Sequence, residues 1–139
     1  MWITTAAQLA EKLPMTAEEL AAVQSVADRY PMCITPYYLG LIDPNDPDDP
    51  IRKMAVPAPI EEEEGGSFDT SGEQSNTRVP GLQHKYLQTA MVLTTNRCAM
   101  YCRHCFRKRL VGLTDEEIAA NFERVTGYIL PYHRQGPRA

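Results

Sequence analysis

No stretch of the chain is long and apolar enough to span a membrane. The N-terminus, MWITTAAQLAEKL, has no basic leader ahead of an apolar core, so it does not read as a secretory signal. Surplus positive charge is also missing. The formal net charge is −4, which argues against a general nucleic-acid binder, and aromatics are not interleaved along a basic stripe. Cysteine is scarce, at four in 139 residues. Three of the four lie close together, so pairing them as disulfides would leave an odd thiol. Reduced thiols in a cytoplasmic protein are the expectation. The aspartates of Asp43–Pro50 lack the fixed ligand steps and glycine turn of a calcium loop.

What is present centres on Thr94–Gly112, TTNRCAMYCRHCFRKRLVG. Cys98, Cys102 and Cys105 fall within eight residues, surrounded by Arg97, Arg103, His104, Arg107, Lys108 and Arg109. A structural zinc site takes four ligands, commonly as two C-x-x-C pairs. Here the spacing is C-x-x-x-C-x-x-C with no fourth cysteine nearby. Soft thiolates suit iron–sulfur or zinc over magnesium and calcium. Three can hold a four-iron cluster and leave one iron open. The basic surroundings are expected to favour the thiolate form.

Charge is divided along the chain. Residues 43–73 carry ten acids against Arg52 and Lys53, and the bases concentrate after Arg97. The acidic stretch either folds over the basic one or forms a solvated linker around Glu61–Gly66. The four consecutive glutamates read as wet surface, and Glu61–Thr77 as a loop or linker.

Helices are expected over residues 4–12, capped by Thr5 with Gln8, and over Ala17–Arg29, capped by Thr16 with Glu19. The second should bury Leu20, Val23, Ala27 and Tyr30. Pro36–Leu41 reads as a buried anchor, Asp43–Pro50 as turns, and Ile51–Ile60 as extended chain. Val79–Leu82 marks a turn. Ala90–Thr95 is the best strand. A helix should follow from Thr114, with Glu117 completing its cap, to Leu130. Its face would be Ile118, Phe122, Val125 and Ile129, and Pro131 would stop it. Strand, cysteine loop and helix make the first unit of a parallel α/β barrel, with the loop at the strand's carboxyl end.

The segment MYCRHC and its basic run resemble the S-adenosylmethionine radical enzymes, and among them the lysine 2,3-aminomutase family. PYYLGLID, DPDDPIRK and VPGLQHKY are similar to family text in the same order. The resemblance implies an α/β fold: a mainly helical region over residues 1–60, an acidic approach over 61–85, and the first strand–loop–helix unit of an incomplete radical S-adenosylmethionine barrel over 86–139. It implies a 4Fe–4S cluster on Cys98, Cys102 and Cys105, with S-adenosylmethionine on the open iron. Reduction would cleave the nucleotide to a 5′-deoxyadenosyl radical, which abstracts a substrate hydrogen. Arg107 would pair with the carboxylate of an amino-acid substrate. His104 would approach the adenosine or the cluster edge, with packing as its alternative, and Tyr101 is near the site or fills core. Tyr86 is kept from the block that reaches pyridoxal phosphate, but Lys85 and Thr89 stand where the family has arginine. A relative acting on another amino acid or on a protein-bound lysine would fit those changes.

Later barrel units have no match, so the expectation is a truncated product, a domain fragment or one piece of a split protein, with little aminomutase activity alone. Implied partners are an electron donor such as flavodoxin or ferredoxin, and a second copy or a complementing barrel fragment. The competing reading is a structural zinc or iron–sulfur module with Cys33 or His84 as fourth ligand.

Overall fold

A computed structural model describes residues 1–63, 65–112 and 122–135. Its first helices start where the capping residues stand. Helix α1 (Ala6–Ala10) is closed by a Thr5–Gln8 capping box, and α2 (Ala17–Arg29) by Thr16 and Glu19. In the second box Glu19 N donates to Thr16 Oγ1 at 3.1 Å, and Thr16 N to Glu19 Oε2 at 2.6 Å. Each box satisfies two backbone donors that a helix start leaves open. Of the expected stripe, Val23 and Tyr30 are buried and Leu20 and Ala27 pack on the core that holds Val23; Val26, outside that stripe, is fully buried as well.

Two expectations fail in the next stretch. Pro36–Leu39 is a short helix, α3, with no buried residue, and Tyr37 is 72% exposed. Only Tyr38 and Leu39 lean on the core. Asp43–Asp49 does form turns, with Asp43 and Asp46 accepting from the N–H two residues on at 2.9 and 2.8 Å. Pro50–Ala55 is then helical (α4), not extended. Asp49 caps it by accepting the Arg52 N–H at 2.7 Å, and Pro50 sits at its first turn, where a missing N–H costs nothing.

A 3-10 turn follows at Pro59–Glu62, then α5 (Glu73–Asn76) and an antiparallel sheet of β1 (Thr77–Val79), β2 (Leu82–Tyr86) and β3 (Thr89–Val92), in that order. Gly81 turns β1 into β2 with φ of 81°, a region open to glycine. Hence the strand expected at Ala90–Thr95 starts one residue early, ends at Val92, and pairs antiparallel with β2. The described architecture is mixed α/β with a small open sheet, and among the described residues no strand pairs in parallel.

Helix α6 (Phe122–Gln135) contains Pro131 instead of ending at it. The proline forfeits one N–H in the last turns of the helix. Phe122 is exposed, against expectation, while Val125 is buried on Leu82 with Tyr128 and Ile129 alongside. The expected helix start at Thr114, Glu117 and Ile118 lies outside the described residues. No helix among the described residues is long and apolar enough to cross a membrane.

The larger core joins Ile3, Leu9, Val23, Ile34, Ala55 and Met100. Ile34 bridges to Ile3 on one side and to Met100 on the other. Met100 lies inside the cysteine loop, so this ladder fixes the loop to the helical region.

Candidate metal centre

Between Leu93 and Gly112 the chain forms bends and turns held at several points. Tyr101 N donates to Cys33 O at 2.9 Å, and Arg103 N to Met54 O at 2.8 Å. Within the loop, Cys105 N donates to Cys102 O and Lys108 N to Cys105 O, each at 3.1 Å. Met100 and Leu110 are buried, Met100 as part of the larger core. Gly112 has φ of 74°, and a Cβ there would lie 2.6 Å from Cε2 of Tyr101. The Tyr101 ring therefore packs directly over a backbone that only glycine allows.

All three loop cysteines are free thiols; Cys98 is exposed, while Cys102 and Cys105 are half-buried. Burial pushes the Cys102 thiol up, and the adjoining Cys105 adds to the effect. This opposes the expected lowering by the basic residues. The cause is burial of Cys102 itself, and four of the bases face carboxylates. A soft metal would supply the charge that stabilises the thiolates, releasing protons as it bound.

Those carboxylates come from the acidic stretch, which does fold over the loop. The Glu61 side chain, 8% exposed, accepts from Arg103 Nη2 at 2.7 Å and from Lys108 Nζ. The wet-surface reading fails for this first glutamate. Glu73 accepts from Arg107 Nε at 3.0 Å and from Arg109 Nη2 at 3.2 Å. Arg103 also donates to the carbonyls of Pro31 and Tyr30 at 3.1 and 3.2 Å, so its fork is spent on structure. Lys108 Nζ lies 4.2 Å above the Tyr30 ring.

The predicted residues divide between two places. Tyr101, Cys102 and Cys105 line a small recess with Tyr30, Arg103 and Lys108. Arg107 and Tyr86 line a separate cleft of about 300 Å³ with Glu73, Gln83, Lys85 and Thr89. Tyr86 is 65% exposed, with Lys85 Nζ 5.7 Å over its ring. His104 is exposed and lines neither. Among the described residues no three Cys, His, Asp or Glu side chains are gathered for a metal. In donor chemistry the loop fits a soft metal: three thiols, unpaired, on one short segment. Glu61, Glu73 and Gln83 were not singled out from sequence. Only the opposed charge of the two segments hinted at the first two.

No protein-family model matches the chain. It is 42% identical over 118 residues to the L-lysine 2,3-aminomutase of Clostridium subterminale, covering 84% of this chain and 28% of that protein. To the glutamate 2,3-aminomutase of Clostridioides difficile it is 37% identical over 114 residues, covering 81% and 27%. The L-lysine 2,3-aminomutase of Bacillus subtilis gives 36% over 113 residues, covering 79% and 24%. The chain thus spans under a third of the length of these relatives.

Proposed function

The chain is homologous to part of the L-lysine 2,3-aminomutases, and from that premise we propose that it is the cluster-loop portion of a radical S-adenosylmethionine protein. Cys98, Cys102 and Cys105 would hold a 4Fe–4S cluster and leave one iron for S-adenosylmethionine. When bound and reduced, the cluster supplies the electron that cleaves the nucleotide and so provides a hydrogen-abstracting radical. In a full-length form the reaction would be migration of an amino group on an amino acid. Flavodoxin or ferredoxin would serve as electron donor in a cytoplasmic setting.

The chain's own residues bind and orient. Arg107 would meet the substrate carboxylate with its planar fork. Tyr101 and His104 would flank the adenosine side. Tyr86 would face pyridoxal phosphate, with Lys85 and Thr89 in place of the family arginines. A second copy or a complementing chain would complete the barrel around the loop; alone, the chain would turn over little or no substrate.

One observation carries the reading: three free thiols in the C-x-x-x-C-x-x-C spacing, within a segment over 40% identical to an aminomutase. Anaerobic reconstitution with iron and sulfide tests it. About four irons per chain, with an electron paramagnetic resonance spectrum altered by S-adenosylmethionine, is the expected result. Stoichiometric zinc with no cluster would overturn it in favour of a structural module. That second reading draws on Cys33, the thiol brought to the loop through the Tyr101 N–H bond to its carbonyl.

A further inference from the structure

Gln83 sits on the middle strand of the sheet, paired with Thr77 on one side and Met91 on the other. It is 5% exposed, and its Nε2 is buried with no hydrogen-bond partner among the described residues. Buried side-chain amides almost always find a partner, because leaving one unmade forfeits the hydration it had in water. The neighbouring Leu82 shows that an apolar side chain is accommodated on this strand. The described residues leave this amide open to an acceptor from outside the chain.

Its surroundings say which kind. Gln83 lines the same cleft as Arg107. Glu73 takes the Nε and Nη2 edge of that guanidinium, at 3.0 and 2.9 Å. Nη1 is left without a partner among the described residues. A register irregularity between Gln83 and Tyr86 breaks strict alternation, so Lys85 and Tyr86 both reach this cleft. Lys85 Nζ donates to Ser71 O at 3.1 Å and adds positive charge at the rim. Met91, whose Sδ accepts from Arg107 Nη2 at 2.9 Å, and Phe106, whose ring lies 4.6 Å from that guanidinium, complete the wall. A cleft of about 300 Å³ lined by Gln83 and Arg107, with Lys85 at its rim, suits a small ligand bearing oxygen acceptors, which a turn of the covered Gln83 amide would meet.

We propose that Gln83 is a specificity-determining residue, its Nε2 donating to an oxygen of the amino-acid ligand whose carboxylate meets Nη1 of Arg107. Glu73 is the positioning residue that orients that guanidinium. The inference rests on the reading of Arg107 as a carboxylate receptor, and the two can fail separately.

The test is a titration of the ¹⁵N-labelled chain with L-lysine and, separately, L-glutamate, following the side-chain amide of Gln83, assigned by its loss in Gln83→Leu. A saturable shift of that resonance is expected with at least one of the two. Gln83→Leu should weaken the same ligand by about tenfold or more while leaving the melting temperature equal or higher. An unchanged affinity in Gln83→Leu, or a Gln83 amide that ignores both ligands, would overturn the inference. A lowered melting temperature with unchanged affinity would show the amide to be structural and would overturn it too. Should Gln83→Leu not fold, the amide is assigned instead by triple-resonance spectra of the ¹³C,¹⁵N-labelled wild-type chain, and its response decides alone. Arg107→Ala addresses the underlying reading: unchanged affinity there sinks the carboxylate role, whereas loss there with a neutral Gln83→Leu sinks only the role of Gln83.

Discussion

Glu61 Oε2 lies 2.7 Å from Arg103 Nη2, forty-two residues away in sequence, with both side chains more than nine-tenths buried. Such a pair contributes little net stability against an apolar substitute, but breaking it strands a buried charge. Glu61→Ala leaves Arg103 and Lys108 without their shared acceptor. The expected loss is about 3–5 kcal/mol, read as a fall in the urea midpoint. A change within error would mean that the pair is solvated.

The same carboxylate sets an acid limit. Burial pushes the Glu61 carboxyl up, but hydrogen bonds from Arg103, Lys108 and the Ala58 N–H together hold it below its ordinary value near 4.5. A depressed value stabilises the fold above the unfolded-state pKa, and that contribution fades as pH falls through the folded-state value. Stability should therefore be flat above about pH 5 as far as this group is concerned, and decline below about 4.5. In Glu61→Gln that part of the decline should vanish, checked by urea titrations across pH.

Gly112→Ala puts a methyl 2.6 Å from the Tyr101 ring at a φ of 74°. Left-handed backbone costs a non-glycine residue about 1–2 kcal/mol, and forced overpacking about 1–3 more. A loss of about 2 kcal/mol or greater is expected in chemical unfolding. Pairing it with Tyr101→Ala should recover part of the loss, since the ring is what the methyl meets.

Cys33 contrasts with the three thiols proposed as ligands. It is buried, and burial pushes its thiol up, with Cys98 adding to the shift. Cys33→Ala should retain iron uptake in anaerobic reconstitution, with at most a modest drop in melting temperature. Serine at Cys98, Cys102 or Cys105 should each abolish the four-iron centre. Loss of iron in Cys33→Ala would instead assign a fourth protein thiolate.

Local chemistry in the sequence announced the local structure. The capping boxes at Thr5 and Thr16, the turns after Asp43 and the glycine turn before β2 all depend on residues a few positions apart. Helix α4 departs from the extended chain expected over Ile51–Ile60: Asp49-Pro50 is an N-cap followed by a first-turn proline, and Pro57 and Pro59, which favour extended chain, act only beyond its end. Pairing was not legible. The antiparallel partner of β3 is chosen by the short connection from Tyr86 to Thr89, whereas a parallel partner needs a long crossover. The cysteines stood out by spacing, yet nothing along the chain marked Glu61 from Glu62 or gave Glu73 a role. Their burial is decided by what the cysteine loop brings to them.

Glu61 and Glu73 each grip two bases of the cysteine loop, and the eleven residues between them bridge fixed points. Within that span Asp69 accepts from the Glu73 N–H at 2.7 Å and Phe68 meets the Tyr30 ring, so drift in length and composition over evolutionary time is tolerated only away from those two residues, provided both carboxylates keep their seats. Descendants of this chain should therefore accumulate insertions there while the electrostatic clasp at either side stays intact.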